Sequence, residues 1–273
     1  MSGVKAFTPD SRIVTLVGHY GSGKSELAIN IALLFADVKK IGEGLFESAP
    51  FSLSGLNSRE QASLNSRDCT SIEPVDASDV NVCLADLDVV NPYFRSREAS
   101  DYLKSKGVKV IASAEAFPNV DLPFMPEEMA SIFQNENTLA VIDAGGDPAG
   151  ARVLARYSND LKKNNAEVYF VLNANRPFTK TVSETIKCIR DIEGAANIRI
   201  TGILNNTHLM GKTEIEDIRA GALLAEEVSK ETGIPVVAHA VSRDLLDSAL
   251  EEFLMEAEGK VFPIDIHLKK PWE

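Results

Sequence analysis

The sequence predicts an α/β fold in which a mostly parallel sheet of about seven strands is covered by helices on both faces. Short, nearly continuous apolar runs recur along the chain, which is typical of strands that are buried on both faces. They alternate with segments of helical length, which is the pattern of parallel strands joined by crossover helices. The first apolar run, 13–17, leads through a glycine-rich turn directly into a helical segment.

The predicted elements follow this alternation to the end of the chain. Strands are predicted at 13–17, 80–85, 108–112, 138–142, 167–172, 198–204 and 234–238. Helices are predicted at 26–34, 95–106, 125–133, 149–163, 179–191, 213–232 and 243–256. The strand at 234–238 is expected to be the last one and to lie at an edge, and the segment 261–273 is expected to lie extended on the body.

One segment interrupts the alternation. From about residue 37 to 79 the sequence has no sustained hydrophobic period and is rich in serine, glycine and proline. A structureless loop of this length is unusual inside a compact domain. We therefore predict a single nucleotide-binding domain over 1–273 with an insertion at about 37–79, which is either a surface loop or a cover for a partner or substrate.

Composition limits the class of protein. The chain has 273 residues, of which 44% are hydrophobic, and a formal net charge of −12. This charge argues against broad nucleic-acid binding, which needs a basic face, and the sequence has neither a membrane-spanning apolar run nor a signal-peptide core at its start. Cys69, Cys83 and Cys188 are too widely spaced for a disulfide framework or a metal motif. We therefore expect a cytoplasmic protein.

The glycine-rich turn carries the clearest motif, GHYGSGKS, which fits the phosphate-binding pattern G-x-x-x-x-G-K-[ST]. Backbone N–H groups of such a loop, together with the start of the following helix, bind phosphate oxygens. Lys24 is expected to contact the β- and γ-phosphates and Ser25 to bind Mg²⁺. The residues predicted to bind the nucleotide here are Gly18, Gly21, Ser22, Gly23, Lys24 and Ser25.

Two acidic residues end the second predicted strand. Asp86 and Asp88 face the same side while the strand persists, and ligands of open α/β sheets bind at this edge. We expect Asp86 to belong to the Mg²⁺ shell and Asp88 to position the attacking water. The alternative is that Asp88 starts a turn and Asp86 caps a helix.

The fourth predicted strand also ends in an acid, in the sequence LAVIDAGG at 139–146. This is the expected form of a Walker B strand that continues into a switch segment. Asp143 is predicted to bind Mg²⁺ through water, and Gly145 or Gly146 to give a backbone N–H to the γ-phosphate. Together with Lys24 and Asp88, Asp143 is a predicted catalytic residue. The alternative is a simple turn after a buried strand.

The base-binding side has a weaker signal. Asn205 follows the strand at 198–204, and an asparagine amide can meet the donor and the acceptor of an adenine edge. The alternative is that Asn205 forms a turn. The strand end at 172–177 is a second candidate for contact with the base or a partner. The sequence contains no N-K-x-D motif for guanine, which favours ATP over GTP.

With these three motifs in order, the chain resembles the MinD/ParA-type P-loop ATPases over about 12–257, without the insertion. The more specific part of the resemblance is the pair Asp86 and Asp88, followed by Asn91-Pro92, together with the segment 143–146. The resemblance implies an Mg²⁺-dependent ATPase and a possible homodimer. In that family a signature lysine just after the first glycine of the loop reaches across the dimer.

The chain departs from the family at the signature position. It has His19 where the lysine is usual, and Tyr20 follows where a glycine is usual. We hypothesise that Arg95 or Arg97, shortly after the second strand, supplies phosphate charge in place of the lysine. The alternative is that both are ordinary surface or helix-start arginines.

The motifs favour an ATPase that acts as a nucleotide-driven switch for an unidentified protein or cargo partner. A second possibility is an ATP-dependent small-molecule kinase or ligase, for which the apolar segment 117–124 would help to build a substrate pocket. A third is a nucleotide-binding regulator that does not hydrolyse ATP. The expected cofactors are ATP and Mg²⁺.

Overall fold

The computed structural model describes residues 7–44, 80–88, 100–112, 127–146, 148–249, 257 and 259–268. Within these ranges the chain forms eight strands: β1 (Ile13–Val17), β2 (Asn81–Asp86), β3 (Val108–Ala112), β4 (Thr138–Asp143), β5 (Glu167–Leu172), β6 (Gly202–Asn205), β7 (Val236–Ser242) and β8 (Lys260–Ile264). The helices of the same ranges are α1 (Lys24–Gly44), α2 (Ser100–Ser105), α3 (Glu127–Gln134), α4 (Pro148–Ala155), α5 (Ser158–Lys163), α6 (Val182–Ala196), α7 (Ile215–Thr232) and α8 (Arg243–Ala249). A short 3₁₀ helix lies at Met210–Lys212.

The strands form one sheet in the order β3-β2-β4-β1-β5-β6-β7-β8. Every neighbouring pair is parallel. β1 therefore lies in the interior of the sheet, between β4 and β5. This order places the carboxyl ends of β2, β4, β5 and β6 around the loop that follows β1.

The core lies on both faces of this sheet. Ile13 and Val17 of β1 belong to one apolar cluster, and Val14 and Leu16 belong to the other, because successive side chains of a strand point to opposite faces. Helices α3, α4, α6 and α7 contribute to the first cluster, and α1 and α2 contribute to the second. The predicted α/β fold with helices on both faces is confirmed.

The sheet has eight strands where about seven were predicted. The additional strand, β8, pairs in parallel with β7, so β7 does not form the edge, and part of the predicted extended tail is a strand. The sequence signal of β8 is weak because it is short and contains Pro263. Proline is tolerated on an edge strand, where its missing N–H costs no ladder hydrogen bond.

Two helix predictions also change. Residues 149–163 form two helices, because the N–H groups of Arg156 and Tyr157 bond to carbonyls three residues back and close α4. Helix α1 runs to Gly44, into the predicted insertion at 37–79. The rest of that segment, 45–79, lies outside the described residues.

Among the described helices, none combines the length and the apolar character that a membrane crossing requires.

Candidate functional site

The glycine-rich loop connects the end of β1 to the start of α1. Lys24 and Ser25 are the first two residues of α1, where backbone N–H groups have no partner within the helix and the helix dipole is positive. The Lys24 Nζ donates hydrogen bonds to the carbonyl oxygens of Gly18 at 3.1 Å and His19 at 3.2 Å. The lysine side chain therefore folds back over the loop.

The loop packs directly against the neighbouring strand ends. Gly18 has a φ of +144°, and a Cβ at this position would lie 2.6 Å from the carbonyl oxygen of Val171 in β5. Gly23 has a φ of +89°, and a Cβ there would overlap the side-chain amide of Asn206. Glycine is thus required at both positions by conformation and by close approach.

Asp143 of β4 lies next to the loop because β4 is the neighbour of β1. The Ser25 hydroxyl donates a hydrogen bond to Asp143 Oδ2 at 2.5 Å. Asp143 Oδ1 is buried and has no hydrogen-bond partner among the described residues. Burial, with a further contribution from the charge of Asp86, raises the pKa of Asp143 to about 7. A buried carboxylate of this kind is well suited to a cation.

Asp86 and Asp88 complete the acidic edge. The strand register pairs Asp86 of β2 with Asp143 of β4, and Asp86 Oδ1 accepts the backbone N–H of Asp88 at 3.1 Å. This bond links the two acids in a small turn, and both still lie beside Asp143. Asp88 is half-buried, and its Oδ1 would lie 3.4 Å from a Cβ placed on Gly145.

These side chains fit a magnesium ion that binds together with phosphate. Among the described residues, no group of three or more His, Cys, Asp or Glu side chains is placed to hold a metal, so a closed protein site is not formed there. Mg²⁺ is typically held by one or two carboxylates together with phosphate oxygens and waters. Ser25, Asp86 and Asp143 present oxygen atoms that could form the protein side of such a shell.

The two glycines after β4 bring the backbone close to the loop. A Cβ on Gly146 would lie 2.7 Å from the backbone nitrogen of Tyr20 and 2.8 Å from Lys24 Nζ. A Cβ on Gly145 would lie 2.7 Å from the Cα of Gly150 in α4. The segment after Asp143 is therefore packed between the loop and α4. This placement favours the predicted backbone contact with a γ-phosphate.

Three side chains contact the loop from the other side of β1. Arg176 Nε donates to the carbonyl oxygen of Gly21 at 2.8 Å, and Asn206 Nδ2 donates to that of Ser22 at 2.8 Å. His208 Nε2 would lie 3.0 Å from a Cβ on Gly23. We call these residues, Arg176, Asn206 and His208, the strand-end cluster. Arg176 falls within the predicted candidate segment 172–177, whereas Asn206 and His208 were not singled out.

Asn205, the predicted contact for the base, points into the protein. Its side chain is fully buried, and its Oδ1 accepts hydrogen bonds from the Thr207 N–H at 3.1 Å and the Thr207 hydroxyl at 2.7 Å. Its Nδ2 lies 3.2 Å from Nδ1 of the buried His239. The direct base contact predicted for Asn205 does not fit this geometry, because its amide is engaged by Thr207 and His239. The residue fits the alternative of a turn former.

His208 is held as a neutral imidazole. Its Nδ1 accepts the backbone N–H of Met210 at 3.2 Å, which places the ring proton on Nε2. Burial, with a contribution from the positive charge of Arg176, lowers the pKa of His208 to about 4. Nε2 is buried without a hydrogen-bond partner among the described residues. The sequence around His208 does not indicate that its ring is buried beside the phosphate loop.

At the signature position of the resembling family, the loop presents an aromatic contact. The His19 ring packs against Phe178 with 5.1 Å between ring centroids. Phe178 and Tyr20 are 63% and 54% exposed. Arg95 and Arg97 lie outside the described residues, as do Asn91-Pro92 and the segment 117–124, so the hypotheses on them stay predictions.

The strand order and the phosphate loop establish the fold. It is the α/β fold of the P-loop nucleoside triphosphatases. A comparison with models of protein families found no match, and a comparison with curated proteins also found none.

A comparison with solved structures found distant likenesses. Chloroplast FtsY from Physcomitrella patens shares 15% identity at a TM-score of 0.47, over 86% of this chain and 60% of that one. FtsY from Thermotoga maritima shares 15% identity at a TM-score of 0.47, over 87% and 65%. The signal recognition particle 54 kDa protein from Aeropyrum pernix, solved in complex with GDP, shares 17% at 0.41, over 81% and 40%. The chain thus spans less than two thirds of the length of each of these proteins.

Proposed function

We propose that this protein binds ATP with Mg²⁺ and hydrolyses it as a nucleotide-driven switch. The observation that carries the proposal is the hydrogen bond of 2.5 Å between Ser25 and Asp143. It joins the start of the phosphate loop helix to a buried acid whose other oxygen has no partner among the described residues. This combination is what an ion bridging the protein and a triphosphate requires.

The residues divide into distinct roles. The loop N–H groups and Lys24 would bind the β- and γ-phosphates, for which Lys24 must exchange its bonds to loop carbonyls for bonds to phosphate oxygens. Ser25, Asp143 and Asp86 would hold the ion. Bound Mg²⁺ would neutralise charge that develops on the phosphate oxygens. Asp88 would orient the attacking water.

The segment after Asp143 would act as the switch. Gly146 lies against the loop and Gly145 lies against α4, so a γ-phosphate that binds the backbone of this segment is coupled by direct packing to α4. Loss of that phosphate would release the contact, which is a common way for hydrolysis to change a protein surface. A protein or small-molecule partner would read this change.

Adenine is the proposed base. Asn206 rather than Asn205 would meet its edge: both side chains are buried, but Asn206 bonds to the loop at Ser22 whereas Asn205 bonds to Thr207 and His239, and an amide can pair with the donor and the acceptor of adenine. Guanine presents two donors on the same edge, and the sequence NNTHL at 205–209 contains no carboxylate to accept them. We propose membership of the MinD/ParA-type ATPases and a cytoplasmic location on the motifs alone.

The test is a comparison of ATP and GTP binding by isothermal titration calorimetry, with and without Mg²⁺. We expect ATP to bind more tightly than GTP and to need Mg²⁺ for full affinity. Lys24→Met should weaken ATP binding by at least about 10-fold, because a charge-assisted contact is lost. Lys230→Met, at an exposed position of α7, is the matched control. Tighter binding of GTP would overturn the choice of base, and binding of neither nucleotide would overturn the function.

A further inference from the structure

The site is asymmetric about β1, and this fixes the direction of a bound nucleotide. Asp143 and Asp86 lie on the side of β4 and β2, whereas the strand-end cluster follows β5 and β6 on the other side. Because Mg²⁺ bridges the β- and γ-phosphates, the γ-phosphate would face β4. The base and ribose would then face the strand-end cluster.

Arg176 is anchored on the loop through one atom of its guanidinium group. Nε donates to the carbonyl oxygen of Gly21 at 2.8 Å. A Cβ on Gly21 would lie 3.2 Å from Arg176 Nε and 3.4 Å from its Cζ, so the guanidinium group packs over this glycine. The side chain is half-buried, and its hydrogen bond to the loop is made by Nε.

The Arg176 guanidinium group lies beside the phosphate loop. The N–H groups of a phosphate loop turn towards the phosphates, and Arg176 instead binds a loop carbonyl. A planar guanidinium group stacks well on aromatic faces and attracts them through a cation–π interaction. The neighbouring His208, whose ring is neutral, adds no competing charge at this place.

We propose that Arg176 packs its guanidinium group on the face of the nucleotide base while its Nε holds Gly21. This inference rests on the proposed nucleotide binding. Every base has a π face, so the contact is tolerant of base identity. Arg176 would therefore set the affinity for nucleotides over inorganic triphosphate, whereas Asn206 would discriminate between bases.

Two ligands separate base contact from phosphate contact. Dissociation constants for Mg²⁺-ATP and for Mg²⁺-tripolyphosphate are measured by calorimetry with the full chain and with Arg176→Ala. We expect Arg176→Ala to weaken ATP binding about 5- to 30-fold and to change tripolyphosphate binding less than about 2-fold. Equal weakening of both ligands would show action on the phosphates or on the loop itself, and unchanged ATP affinity would show no contact; either result overturns the proposal.

Two further variants serve as controls for a general effect of the Arg176 substitution on the loop. Arg176→Lys keeps a cationic donor for the Gly21 carbonyl but removes the planar group. We expect it to weaken ATP binding, relative to tripolyphosphate binding, almost as much as Arg176→Ala does. Full recovery of ATP affinity in Arg176→Lys would overturn the stacking contact. Arg199→Ala, whose side chain is 87% exposed beside Glu193, should bind both ligands as the wild type does. Failure of the proposed function would be seen in the wild type itself, as absence of binding to ATP.

Discussion

The Ser25 hydroxyl donates a hydrogen bond to Asp143 Oδ2 at 2.5 Å, although the two residues are 118 positions apart. The bond exists because β1 and β4 are direct neighbours, with Leu16 paired to Asp143. It connects the phosphate loop to the acidic residues at the ends of β2 and β4. The arrangement buries the Asp143 carboxyl group, which raises its pKa.

Asp143→Asn should stabilise the ligand-free protein while it abolishes hydrolysis. The pKa of Asp143 is raised from its ordinary 3.8 to about 7, so between these values the folded state binds a proton that the unfolded state has lost. Stability therefore falls as the pH rises from about 4 to 7 and stays lower above that. At pH 8 the variant should gain a few kcal/mol, on the order of what such a shift represents.

Urea unfolding without nucleotide or Mg²⁺ at pH 4.5 and pH 8 checks this sign. The gain in unfolding free energy should be larger at pH 8 than at pH 4.5, where the wild-type carboxyl group is largely protonated. Phosphate release from ATP should fall at least about 100-fold, because a metal ligand is lost. A variant that is less stable at pH 8, or that still hydrolyses ATP with Mg²⁺, would contradict the assignment.

Gly146→Ala should weaken nucleotide binding through the loop. The new methyl group would lie 2.7 Å from the backbone nitrogen of Tyr20, which cannot move without moving the loop. We expect Mg²⁺-ATP affinity to fall about 10-fold or more, in line with the cost of overpacking. Gly194→Ala in α6 is the matched control, because nothing lies within 4 Å of its added Cβ. It should bind ATP normally and unfold at about 0.5–1 kcal/mol higher free energy.

Asn205→Ala and Asn206→Ala should have different effects. Asn205 is fully buried, and its amide bonds to Thr207 and His239, so its loss should cost about 1–3 kcal/mol of stability. Asn206→Ala should mainly reduce the preference for ATP over GTP. Thermal unfolding and nucleotide titrations of the two variants check this. A larger loss of ATP preference in Asn205→Ala than in Asn206→Ala would contradict the assignment of roles.

His208→Gln should reduce the sensitivity of the protein to acid. The pKa of His208 is lowered from 6.5 to about 4, so between pH 6.5 and 4 the unfolded state binds a proton that the folded state does not. Its contribution to stability is fully present above pH 6.5 and is lost as the pH falls to about 4, by roughly 2–3 kcal/mol. Chemical unfolding at pH 7.5 and 4.5 should show a smaller acid-induced loss for the variant, and an equal loss would contradict the burial of a neutral ring.

Much of the fold follows from sequence patterns because a doubly covered parallel sheet leaves a simple signal. β1 and β4 are almost wholly apolar, since both of their faces are buried. The P-loop fixes the join between β1 and α1. β8 was not predicted because Pro263 weakens the sequence signal of a strand, although a proline is tolerated in a strand at the edge of a sheet.

The site was predictable where a motif fixes the chemistry, and less so where long-range packing does. Ser25 and Asp143, which the motifs assign to one metal site, lie within hydrogen-bonding distance, and their binding of Mg²⁺ stays a prediction. The sequence alone does not show which of Asn205 and Asn206 faces the loop, because the orientation of both side chains depends on where β6 ends. The Asn206 N–H still bonds to the Leu172 carbonyl at 2.7 Å, and its side chain turns to the loop. The contact of Arg176 with Gly21 joins two loops that are 155 residues apart.

The most direct test of the central claim is steady-state phosphate release from ATP by the wild-type protein, with and without Mg²⁺, compared with Ser25→Ala. The structure predicts release that depends on Mg²⁺ and that falls sharply in Ser25→Ala, because the hydroxyl that joins the loop to Asp143 is lost. Release that is independent of Mg²⁺, or equal in the two proteins, would contradict the account.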